Sequence, residues 1–131
     1  MPDNSRAKGA QAERQARIFL ENHGLETIEC NYYCEYGEID LIMKDPKNPD
    51  ELVFVEVRSR KPVGYGSAIE TITQSKINKI IKTAEHYLMT KNISHHTFCR
   101  FDVVGVDNIE TKNMINWLPN AFEVGVTNYG A

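Results

Sequence analysis

An α/β or α+β fold, with helices layered on a sheet, is predicted by three features of the chain. One helical stripe of apolar residues lies near the N-terminus, a second and stronger one lies past the middle, and short alternating apolar segments fall between and after them. In residues 7–23, Ala12, Ala16, Phe19 and Leu20 recur at helical spacing, and Gly24 is placed to end the helix. Leu25 to Tyr33 reads as a first strand, although its alternation is imperfect. Glu38 to Lys44 is clearer: Ile39, Leu41 and Met43 are expected on one face, with Glu38, Asp40 and Ile42 on the other, because strand side chains alternate with a period of two.

The polar stretch Asp45 to Glu51, holding Pro46, Asn48 and Pro49, predicts a loop. A third strand follows from Leu52 to Arg60, in which Val53, Val55 and Val57 share one face and Phe54, Glu56, Arg58 and Arg60 the other. Gly64 and Gly66 mark a loop before the second helix, Thr73 to Lys91, where Ile77, Ile80, Ile81, Ala84, Tyr87 and Leu88 recur at helical intervals. Cys99 to Val106 alternates as a fourth strand, and Met114 to Leu118, before Pro119, forms a short fifth.

Size and composition narrow the function classes. A chain of 131 residues, 41% hydrophobic and 25% charged, fits one domain with one core, and neither disorder nor a fibrous class is indicated. No run of eighteen apolar residues appears, and the first seventeen residues are polar, so a soluble, unexported protein with no membrane partner is expected. Three cysteines, Cys30, Cys34 and Cys99, are an odd number and fit reduced thiols in a cytoplasmic setting. Together with His95 or His96 they could alternatively supply a zinc site. The formal net charge of −3 excludes a protein coated in positive charge, yet Arg58 to Lys91 carries seven basic residues against two acidic ones, so a local basic surface is expected.

The chemistry is concentrated on Asp40 and Glu56. They lie on consecutive predicted strands joined by a short loop, and hairpin-like pairing would bring their carboxylates together. Two crowded anions repel unless a cation lies between them, and hard oxygen ligands suit Mg²⁺ or Mn²⁺. An ion held there would activate a water and neutralise charge on a scissile phosphate, and Arg58, which shares the face of Glu56, can contact the same phosphate with its planar fork. Alternation by itself equally allows Asp40 and Glu56 to be exposed residues on the wet face of an amphipathic sheet. Glu13 borders the Ala12–Ala16 stripe, where a lone carboxylate calls for a partner or must reach out to water. Arg60, Lys61, Lys79 and Lys82 are candidate phosphate contacts, Tyr36 and Tyr65 candidate stacking residues, and His95 and His96 a candidate ligand or general base; ordinary solvated or packed roles compete with each.

The string Gly37-Glu38-Ile39-Asp40-Leu41-Ile42, followed by Val53-Phe54-Val55-Glu56-Val57-Arg58-Ser59-Arg60, resembles the metal-binding core of the PD-(D/E)xK nucleases, especially archaeal Holliday-junction resolvases. The rest of the chain, over about residues 9–122, resembles the bacterial YraN family of uncharacterised proteins. That likeness rests on Gly9, Glu13, Ala16 and Leu20, then Gly66 to Ser75-Lys76, then Cys99-Arg100-Phe101-Asp102-Val103-Val104.

The resemblance implies a restriction-endonuclease-like α/β domain over residues 1–131, with its core at about 7–122 and a central mixed sheet flanked by helices. It implies a Mg²⁺- or Mn²⁺-dependent phosphodiesterase acting on DNA in preference to RNA, with branched or otherwise structured substrates favoured, and a homodimer where two strands of a junction are cut. Asp40 and Glu56 match the metal-binding carboxylates of that pattern, Glu13 matches the acidic residue of the first helix, and Lys76 falls near the polar residue of the second. Arg58 departs from the pattern, standing where lysine is usual, and Lys76 is a candidate substitute. The alternative is a non-catalytic nucleic-acid-binding or adaptor module that keeps the nuclease fold.

Overall fold

In a computed structural model the described residues are 5–60, 72–93, 97–109 and 112–122. The elements run α1 (Ser5–Asn22), β1 (Glu26–Cys34), β2 (Gly37–Asp45), β3 (Asn48–Arg60), α2 (Gln74–Thr90), β4 (Phe98–Ile109) and β5 (Lys112–Phe122). The five strands form one mixed sheet in sequential order. β1, β2 and β3 pair antiparallel, β4 pairs parallel to β3 with α2 lying between them in sequence, and β5 folds back antiparallel on β4.

The two helices cover opposite faces. Ala12, Ala16 and Leu20 of α1 pack with Leu41, Met43, Val53, Val55, Val104 and Val106. Ile80, Ala84 and Tyr87 of α2 pack with Ile39, Ile42, Leu52, Phe54 and Phe101. Neighbours such as Val53 and Phe54 therefore enter different cores, as the strand period demands. A sheet buried on both sides has no wet face at its centre, so Asp40 and Glu56 are 8% and 5% exposed.

Three expectations from the sequence are corrected. The loop expected over Asp45 to Glu51 shrinks to a turn at Pro46 and Lys47, because Asp45 pairs directly with Asn48. The Asp45 carboxylate accepts from the Lys47 N–H at 2.9 Å, and the register shift after that pair leaves Pro49 without a partner on β2, where its missing N–H is tolerated. β5 is longer than Met114 to Leu118 and runs through Pro119. That residue lies on the edge strand beside another register shift, between Phe101 and Val103, where Asn120 adopts φ 51°.

Ile39 is the third correction. It joins Ile42 and Tyr32 on the α2 side, not Leu41 and Met43 on the α1 side. Opposite this point β1 carries Asn31 at φ 54°, between the pairs Cys30–Leu41 and Tyr32–Ile39. The inversion of alternation on β2 thus falls at the step that faces this left-handed residue, just where the ladder between β2 and β3 ends.

α2 starts at an N-cap, where the Thr73 hydroxyl accepts from the Lys76 N–H at 3.1 Å, and it ends at Lys91. Its middle turns lie against the β1–β2 hairpin. Gly37 there has φ 149°, and a side chain at that position would meet the Thr83 Oγ1 at 3.3 Å. Tyr32 of β1 hydrogen-bonds to the His86 ring, and Tyr36 sits edge-on to the same ring at 6.1 Å. No helix among the described residues is long and apolar enough to cross a membrane.

Candidate functional site

β2 and β3 pair from Lys44–Leu52 to Leu41–Val55, and one further step in that register sets Asp40 opposite Glu56. There the ladder gives way to a side chain: the Asp40 carboxylate accepts a hydrogen bond from the Val57 N–H at 2.7 Å. That bond fixes Asp40 at the mouth between the two strands. Glu56 follows Phe54 on the α2 side of β3, with Asp40 as its hydrogen-bonded neighbour.

Glu13 reaches the same place from α1. Its carboxyl hydrogen-bonds to Asp40, and the Asn31 amide donates to it. Three acidic side chains from three elements thus meet at one half-buried to buried spot. The cost shows in their proton affinities. Burial, then the charge of Asp40, pushes Glu56 up to about 8, although Lys76 and Arg58 pull it down. Burial, then Asp40, likewise raises Glu13 to about 7, with Glu38 adding to the effect. Glu38 itself is exposed.

Two cations flank the cluster. Arg58 Nη1 lies 3.5 Å and Lys76 Nζ 3.8 Å from the same Glu56 oxygen. Lys76 comes from the first turn of α2 and Arg58 from β3, so the residue singled out as a substitute cation and the residue it would replace converge on one carboxylate. Lys79 and Lys82, further along α2, are exposed, and Lys79 lies beside Gly37. The Arg60 side chain, Lys61, Tyr65, His95 and His96 lie outside the described residues.

The donor set is hard oxygen carrying excess negative charge, which is the chemistry Mg²⁺ or Mn²⁺ takes. As the side chains stand, no group of three or more His, Cys, Asp or Glu among the described residues is spaced to enclose an ion. Charge therefore fits a divalent cation while spacing calls for side-chain movement, with the Glu56 oxygen now turned to Arg58 and Lys76. Cys30, Cys34 and Cys99 are free thiols and form no such group either.

Two functional or structural groups escaped the sequence reading. Asn31 gave no signal beyond the tolerance of asparagine for left-handed backbone. Asp102, fully buried on β4, accepts from Arg100 Nε at 2.9 Å, Arg100 Nη2 at 3.0 Å, Trp117 Nε1 at 2.9 Å and the Asn120 N–H at 2.9 Å. A lone acid inside the apolar run Phe101 to Val106 was the available clue.

Similar proteins share nearly the whole chain. A UPF0102 protein of Psychromonas ingrahamii is 47% identical over 119 residues, 91% of this chain and 92% of that protein. A UPF0102 protein of Nitrosococcus oceani is 43% identical over 123 residues, 94% of this chain and 97% of that one. Among solved structures, SfsA of Pyrococcus furiosus in complex with Ca²⁺ is similar at 13% identity and a TM-score of 0.34, covering 92% of this chain and 65% of that one; a likeness this weak carries no argument. The family model for uncharacterised protein family UPF0102 matches residues 12–106, and the chain belongs to that bacterial family.

Proposed function

We propose that the chain is a restriction-endonuclease-like, single-domain nuclease that hydrolyses phosphodiester bonds in DNA with the help of Mg²⁺ or Mn²⁺. The observation that carries this reading is the meeting of Glu13, Asp40 and Glu56 at one half-buried to buried place, where burial and their mutual repulsion raise Glu13 to about 7 and Glu56 to about 8. A structural cluster gains nothing from such crowding, whereas a divalent cation relieves it by taking the place of the protons that the raised values hold there. Asp40 and Glu56 would hold the ion, with Glu13 as third carboxylate, and the bound ion would supply an activated water and charge neutralisation at the scissile phosphate.

The chain's own residues do the rest. Lys76 and Arg58 already stand at the cluster and can swing from Glu56 to a phosphate oxygen as a substrate arrives. Lys79 and Lys82 extend the positive charge along the exposed side of α2 and would hold the DNA backbone. A branched substrate cut on two strands would be served by a two-fold pair of chains. Free cysteines suit work in the reducing cytoplasm.

The second reading, a non-catalytic nucleic-acid-binding module, draws on the present engagement of Glu56 by two cations and on the lack of a preformed ion cage among the described residues. The deciding experiment incubates labelled linear and branched DNA and RNA with the protein and Mn²⁺ or Mg²⁺. Metal-dependent DNA cleavage by the wild type and none by Asp40→Asn is expected. Nucleic-acid binding without cleavage, and no Mn²⁺ uptake by calorimetry, would leave the binding module.

A further inference from the structure

Residues two apart on a strand share a face, yet Ile39 and Leu41 do not. Their partners on β1 are Tyr32 and Cys30, so the inversion is confined to the one step that holds Asn31 and Asp40. Asn31 is the only described residue within β1, β2 or β3 with positive φ that is not glycine. Without the inversion Asp40 would belong wholly to the α2 side, out of reach of α1. With it, Asp40 is shared between Glu13 on α1 and Glu56 on β3. The Asn31 amide meanwhile donates to the Glu13 carboxyl.

We infer that Asn31 is a positioning residue for the carboxylate cluster: its left-handed backbone turns the β1–β2 ribbon at Asp40, and its amide holds Glu13 toward Asp40. This deepens the nuclease reading and rests on it for its effect on catalysis. Asn31 touches neither metal nor phosphate in this role. It acts through Glu13.

The two parts of the role separate in two variants. Glycine adopts left-handed backbone freely, so Asn31→Gly keeps the turn and removes the amide. Asn31→Ala removes the amide and disfavours the turn. Asn31→Gly is expected to melt close to wild type while kcat for DNA cleavage falls about 10- to 100-fold, the usual effect of losing a group that orients a metal ligand, with KM for DNA unchanged. Asn31→Ala is expected to lose as much activity and to melt lower. Asn31→Gly that cleaves with wild-type kcat would overturn the inference, leaving Asn31 a turn residue only.

The contact has its own readout in the metal-free full chain. Glu13→Ala is expected to shift the side-chain amide resonance of Asn31 in NMR spectra, and an unmoved resonance would overturn the inference whatever the metal result. A wild type that takes up no Mn²⁺ by calorimetry but shows the shift would sink the nuclease reading alone.

Discussion

Two carboxylate sites lie in the same sheet and treat the same functional group in opposite ways. Asp102 is fully buried, and four hydrogen bonds from Arg100, Trp117 and Asn120 meet its two oxygens, while Arg100 also bridges to Glu51 at 3.2 Å. Asp40 and Glu56 are nearly as buried, but Asp40 accepts from the Val57 N–H and otherwise faces Glu56 and Glu13, two more acids. Burying a charge is unfavourable unless partners replace the lost water. At Asp102 the chain supplies them all, and the result is a latch tying β4 to β5. At Asp40 the described residues supply a single backbone donor and add like charge, and the crowding shows in Glu13 and Glu56, raised to about 7 and about 8.

Substitution should therefore strike the two places differently. Asp40→Asn and Glu56→Gln remove charge from the under-compensated site. Each is expected to lower cleavage by about a thousandfold or more, on the order of the several kcal/mol a bound metal contributes to a transition state, while folding survives and DNA binding is kept or tightened. Asp102→Ala empties a fully buried acceptor site, leaving the Trp117 indole N–H and the Asn120 N–H without their acceptor and the half-buried Arg100 with Glu51 alone, and should destabilise the fold by about 3–5 kcal/mol, a large part of an ordinary domain's stability. Denaturant melts and cleavage assays on the same three proteins check both halves. Equal destabilisation by Asp40→Asn and Asp102→Ala would erase the distinction.

The difference also explains what could be read beforehand. Asp40 and Glu56 were legible because each interrupts an alternating strand, and strand pairing across a short connection is a local inference. Glu13 was legible only as a residue bordering a helical stripe, since its partners lie on β1 and β2. The role of Asp102 was not legible, because Trp117 and Asn120 reach it from 15 and 18 residues away, across a register shift no pattern announces. The two helices, with three strands between them and two after, followed from periodicity. Ile39 did not, because one left-handed asparagine on the neighbouring strand overrides its own strand's alternation.

A metal titration sharpens the contrast with a smaller effect. Binding to the folded state alone adds about 2.7 kcal/mol of stability at a hundredfold excess over Kd, so saturating Mn²⁺ should raise the melting temperature of the wild type by several degrees. Asp102→Ala, if it remains folded, should gain the same increment, because its site is satisfied from within. Asp40→Asn should gain almost none. An equal rise in all three would place the ion elsewhere on the molecule.

The finest comparison is between the two cations on Glu56. Arg58 offers a wide, permanently charged plane from β3, whereas Lys76 offers a compact ammonium from the first turn of α2, 3.8 Å from the same oxygen. Compact charge suits a role close to an ion and a phosphate; a planar fork suits neutralisation at slightly longer range. Arg58→Lys keeps the charge and should retain or raise cleavage. Lys76→Ala removes the ammonium that reaches Glu56 from α2, and should lower cleavage by about 10- to 100-fold, the scale on which removing a supporting group beside a metal is felt. Both variants leave Asp40 and Glu13 untouched, so Mn²⁺ affinity should change less than turnover. If Arg58→Lys instead proves the more damaging change, the guanidinium is the working cation, and Lys76 serves only to hold Glu56 in its present orientation.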